Sequence, residues 1–147
     1  MTRFAIPFLV AMMGLGGAFG ATSAAHAADL FQSYVEDSGV CAEGWVLSKI
    51  TSRFRHQVHN VPNLPDVAIT DFQRIHEHRY LPALGEERPI GRRYCNATVI
   101  LSDGHDRDIW YLIEEGQGFA SIGDNVEFCV AGFDRWNVYN SGCRILR

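Results

Sequence analysis

Between residues 42 and 60 apolar side chains recur every four positions, at Val46, Ile50, Phe54 and Val58, with Leu47 and Val61 widening the stripe. Lys49, Ser52, Arg53, Arg55, His56 and His59 fill the opposite arc, so the segment predicts an amphipathic helix with one face to bury. Asn60 and the Val61-Pro62 step end it, since proline cannot continue the hydrogen-bond ladder and turns its predecessor away from helix. A one-sided helix of this length needs a surface to pack on.

Beyond the linker at Pro62 and Pro65 the pattern becomes strand-like. Strands are predicted at about 69–81, 91–102, 107–115 and 125–131, with a short terminal strand at 143–146. Between the second and third, Asp103-Gly104 supplies the positive φ of a tight hairpin turn. A turn centred on 104–105 sets Ile100 opposite Ile109 and Thr98 opposite Tyr111 on one side of the sheet. Val99 then faces Trp110, and Ala97 faces Leu112, on the other. Both sides are apolar, so one should lie under the helix and the other be partly covered. The expected fold is α+β: one helix packed on an antiparallel sheet of four to five strands.

Residues 1–27 read as a secretory signal peptide. Arg3 gives a basic start, an apolar stretch runs to Phe19, and Ala25-His26-Ala27 fits the small-residue cleavage rule. Gly14, Gly16, Gly17 and Gly20 interrupt the run and no basic flank follows, which disfavours a membrane anchor. Residues 28–147 are then a single mature domain opening on a polar lead at 28–40, with localisation in the periplasm or outside the cell and no membrane insertion after cleavage. The whole chain carries 13 Lys+Arg and 17 Asp+Glu. Removing Arg3 leaves 12 against 17, a formal charge of −5, which offers no general field for nucleic acid.

Four cysteines in an exported chain predict two disulfides. Cys41, Cys95, Cys129 and Cys143 allow three pairings and contain no C-x-x-C redox or zinc spacing. Carrying the register across the 116–124 loop sets Cys129 near Leu112 and Glu127 near Glu114. Cys95 and Cys129 then share a face two strands apart, roughly 9–10 Å, too far to bridge. The expected bridges are Cys41–Cys95 and Cys129–Cys143.

Candidate chemistry is sparse. His76 and His78, on one strand face roughly 6.5–7 Å apart, could grip a metal ion if His56, His59 or His105 supplied a third ligand. The surrounding Arg74, Arg79, Arg92 and Arg93 oppose a cation, and the plain alternative is two histidines on a basic strand. Arg92 and Arg93 could instead receive a carboxylate, a phosphate or an acidic partner surface, unless glutamates on neighbouring strands neutralise them. Glu114 and Glu127 could form a carboxylate pair, and Ser102 lies near His105, but no nucleophile motif surrounds them. No cofactor motif is present. Phe119 and Ile122, in the loop bearing Gly116, Gly118 and Gly123, are apolar residues placed for partner contact.

Two resemblances add to this. The order and lengths of the elements over about 42–146 resemble a cystatin-like layout, in which a sheet wraps one long helix, but the Q-x-V-x-G-type inhibitory hairpin is missing, so protease inhibition is not implied. The phrases Arg93-Tyr94-Cys95, Ser102-Asp103-Gly104, Gly118-Phe119-Ala120-Ser121-Ile122-Gly123, Val126-Glu127-Phe128-Cys129-Val130 and Asp134-Arg135 resemble those of small uncharacterised exported bacterial proteins. That resemblance implies export and paired cysteines, and no activity. The expected role is a non-catalytic binding or envelope accessory protein whose partner is an envelope or secreted protein. A metal-binding protein using His76 and His78 is the alternative, and a small enzyme with a cleft between helix and sheet the second.

Overall fold

The computed structural model describes residues 39–147; the expected signal peptide, 1–27, and most of the expected polar lead, 28–40, lie outside them. Helix α1 spans Gly44–Asn60 and buries Val46, Ile50, Phe54 and Val58, the stripe set by its four-residue spacing. Val61 leaves helical geometry, as the following proline requires. Four strands follow, β1 (Ile69–Leu81), β2 (Arg92–Leu101), β3 (Asp106–Glu114) and β4 (Asn125–Val130), forming one antiparallel sheet in sequence order.

The helix lies on the face made by Cys95, Ala97, Val99 and Leu101 of β2, Ile109, Tyr111 and Ile113 of β3, and Val126 and Val130 of β4. Phe133 closes this core, its ring edge-on to Phe54 at 4.9 Å. The opposite face is also covered, because the chain after β4 folds back across it. Cys143 and Leu146 pack there on Leu112 and Cys129, flanked by Tyr94, Trp110 and Tyr139. Arg147 sits 4.1 Å over the Trp110 ring and Arg79 sits 3.7 Å over Tyr94.

Both disulfides form as the sequence predicts, Cys41–Cys95 and Cys129–Cys143, but the register behind that expectation is displaced. Ala97 faces Ile109 and Thr98 faces Asp108, three residues from the anticipated pairing. The hairpin is a three-residue loop at 102–104: Leu101 N–H bonds the His105 carbonyl, and Gly104 takes its positive φ of 81° as the closing residue. An odd displacement exchanges faces, so Val99 and Ala97 lie under the helix beside Ile109 and Tyr111. Cys129 faces Trp110, not Leu112, and Glu127 faces Leu112, not Glu114. Cys95 and Cys129 therefore occupy opposite faces, a firmer bar to pairing than the strand spacing.

Two further corrections concern the ends of the sheet. The expected terminal strand at 143–146 is a single 3₁₀ turn, Arg144–Leu146, lying on the sheet face. Leu146 is anchored by burial against Leu112 and Cys129, so no ladder is available to it. β1 carries three register breaks, at Ile69/Asp71, Gln73/His76 and Glu77/Arg79. Arg74, inside the second, adopts φ 52° and turns its guanidinium to the hydroxyl of the buried Thr98. No described helix is long and apolar enough to cross a membrane.

Candidate functional site

The loop between β3 and β4 is short, internally bonded and apolar on its outside. Gly118 N–H bonds the Gly123 carbonyl at 2.8 Å, Ser121 N–H bonds the Gly118 carbonyl, and Ile122 N–H that of Phe119. Gly118 is required by close approach: a Cβ there would lie 2.0 Å from the Ile122 carbonyl oxygen. The Asp124 carboxylate accepts the Gly116 N–H at 2.8 Å, and its carbonyl accepts Lys49 Nζ from α1. Ala120 and Ser121 are held left-handed, at φ 53° and 61°, a conformation costing about 1–2 kcal/mol per non-glycine residue. Within this frame Phe119 is 94% and Ile122 80% exposed. Val40 and Trp45 line a shallow groove between Ile122 and the start of α1, with the Trp45 indole N–H bonded to Glu43. Trp45 lies beside the loop in space but 77 positions before Ile122 in sequence, so periodicity alone could not join them.

The arginines are engaged internally. Arg92 Nε meets Glu114 at 3.1 Å, and Arg93 meets Glu77 at 2.8 Å and Glu115 at 3.6 Å. Arg93 also lies 3.8 Å over the Tyr80 ring, and the Tyr80 hydroxyl donates to Glu115 at 3.1 Å. Burial disfavours the charged Arg93 guanidinium, but the Glu77 carboxylate outweighs it and holds the group above its usual range. Cross-strand neutralisation thus accounts for both residues. Glu114 and Glu127 are not opposite one another; Glu114 faces Asn125 and is held by Arg92.

His76 and His78 both border Asn96. His76 pairs with Asn96 across the sheet, and its Nδ1 meets the Arg74 carbonyl at 3.0 Å. The His78 ring centroid is 6.1 Å from that of Tyr94, with Nε2 shielded from solvent. Desolvation lowers the His78 pKa below its ordinary value; Arg79 and His76 push the same way, against the Asn96 side chain and Glu77. Among the described residues no three His, Cys, Asp or Glu side chains converge as a metal set. His105 instead belongs to the hairpin, where its N–H and ring both meet Asp103.

A cleft of about 510 Å³ runs along the free side of β4 between Arg53 and Gln57 of α1 and Trp136, Val138 and Tyr139 of the returning chain. Asp134 shapes the far wall by accepting the N–H groups of Val138 and Tyr139. Burial raises the Tyr139 phenol pKa, with Glu127 and Asp134 adding to the rise. Trp136 and Val138 carry no strand or helix pattern, and only the folded position of the chain after Gly132 brings them to β4. No family model, no curated protein and no solved structure matches this chain.

Proposed function

We propose that this protein is an exported, non-catalytic binding module that meets an envelope or secreted protein through the 116–124 loop. The observation that carries the reading is the exposure of Phe119 and Ile122 on a loop whose backbone is fixed by internal hydrogen bonds and two left-handed residues. A loop that needs only to connect β3 to β4 gains nothing from such a conformation, whereas one that holds apolar side chains ready for a partner lowers the ordering cost of binding. The groove beside Trp45 extends the same surface onto α1. Export rests on the signal-peptide pattern of residues 1–27 and accords with two disulfides and no free cysteine among the described residues.

Changing Phe119 and Ile122 together to Ser tests this. The melting temperature should stay within a few degrees of wild type, because neither side chain is buried, while capture of the envelope partner retained by the wild-type mature protein is abolished. A clear fall in melting temperature with the same partner still captured would remove the loop from recognition. Export is read separately, from an intact mass that starts at Ala28 and lacks two hydrogen pairs.

A further inference from the structure

The sheet ends at β4, and the free side of β4 is recessed. In an antiparallel ladder alternate residues turn both main-chain groups toward or away from the neighbour. Ala131 N–H bonds Asp108 of the β3 side, whereas the carbonyls of Val126 and Val130 point away from β3. Arg53 donates to Val126 O at 2.6 Å, and Phe133 N–H donates to Val130 O at 3.0 Å. Phe128, between them, has the same outward orientation, and no described residue bonds its free N–H or C=O.

Open strand edges are usually covered or blunted by charge, proline or a bulge. This one is flanked by walls and left open along the cleft, where Trp136 is 66% and Val138 62% exposed. We propose that the cleft binds an extended polypeptide segment, which adds to β4 as a fifth strand and places an acidic side chain at Arg53.

The edge itself argues for the occupant. The free main-chain donor and acceptor at Phe128, flanked by the engaged carbonyls of Val126 and Val130, match the N–H and C=O of one residue of an extended backbone, the chemistry of strand addition. Exposed apolar side chains on the far wall give one face of such a segment a place to pack. Arg53 forms no ion pair among the described residues, and its bonds to Val126 and Asn125 both use Nη1, so a carboxylate on the segment can meet the remaining N–H groups of the guanidinium. A second copy does not fit: two β4 edges would have to approach to about 4.8 Å, and the walls formed by α1 and by Trp136 stand between them. This inference does not depend on the 116–124 loop.

The test is selection of random dodecapeptides displayed on phage against the mature oxidised protein, followed by synthesis of the selected peptides. Acidic residues should be enriched, and Arg53→Glu should weaken binding about tenfold or more, the scale of one charged contact. Single N-methylation should weaken binding at the one peptide position that pairs with Phe128 and little at its two immediate neighbours, whose N–H groups point away from β4, and Phe128 amide exchange should slow when peptide is bound. The Phe119/Ile122→Ser protein should bind the same peptides unchanged, which separates this site from the loop. The proposal is overturned if no selected peptide binds more tightly than about 1 mM, if N-methylation at every position is tolerated equally, or if Phe128 exchange is unaffected at saturation.

Discussion

The Tyr111 hydroxyl donates a 2.8 Å hydrogen bond to the main-chain carbonyl of Cys41, and Cys41 is bridged to Cys95, the residue directly across the sheet from Tyr111. Three positions far apart in sequence thus close a ring under the start of α1. The phenol is fully buried, and burial pushes its pKa far above the ordinary tyrosine value. Tyr111→Phe should lower unfolding stability by about 1–3 kcal/mol, because the Cys41 carbonyl loses its partner while remaining buried. Denaturant unfolding of the oxidised protein measures it, and an unchanged midpoint would contradict the account.

Phe54 and Arg53 are neighbours on α1 with different duties. Phe54→Ala should cost about 3–5 kcal/mol, as a buried aromatic packed on Phe133. Arg53→Ala should cost about 1 kcal/mol, more than an unattached surface residue, since its guanidinium holds the Val126 carbonyl. Thermal melts of the two variants should differ accordingly.

Gly91 stands where a Cβ would lie 2.1 Å from a Glu115 carboxylate oxygen. Gly91→Ala must therefore displace Glu115 from Tyr80 and Arg93, at about 1 kcal/mol, since the obstructing carboxylate is the end of a flexible, part-exposed side chain. In a Glu115→Ala background the same substitution should cost much less, because the obstructing carboxylate is gone. A double-mutant cycle reads this directly: coupling below about 0.5 kcal/mol would show that the Glu115 contacts contribute nothing at this corner.

His78 gives a stability dependence on pH with a definite sign. Burial holds its folded pKa below the ordinary histidine value of about 6.5, so the unfolded chain takes up the proton first. Stability from this residue is complete above that value and is lost as pH falls through the folded pKa. The groups facing it are Asn96 and Tyr94 on β2 and His76, Glu77 and Arg79 on β1. Melting temperatures measured from about pH 7 down to about pH 5 should fall less steeply for His78→Gln than for wild type.

The stripe Val46, Ile50, Phe54 and Val58 was legible because helical burial depends only on local spacing. The strands were legible as apolar runs between turn residues, but their pairing was not. Asp103-Gly104 is compatible with two loop lengths, and the choice between them moves every cross-strand partner of β2 and β3. The bulge at Arg74 and the recessed edge of β4 left no trace in composition, since both depend on how β1 curves and where the chain after Gly132 returns. Phe119 and Ile122 stood out because glycines framed them. Trp136 and Val138 did not, as nothing in their own segment separates an exposed wall from a core residue.

The two disulfides join the first cysteine to the second and the third to the fourth. Synthesis runs from the N-terminus, so for Cys41 and for Cys129 the proper mate is the next thiol to emerge, and the first pair can close before either competitor exists. The connectivity is neither nested nor crossed, so correct oxidation can proceed without a shuffling step. A reduced chain released all at once faces a different problem: Cys95 is 34 residues from Cys129 and 54 from Cys41, and the shorter wrong loop is the easier to close. Refolding from full reduction should consequently be slower and more dependent on thiol exchange than folding during synthesis.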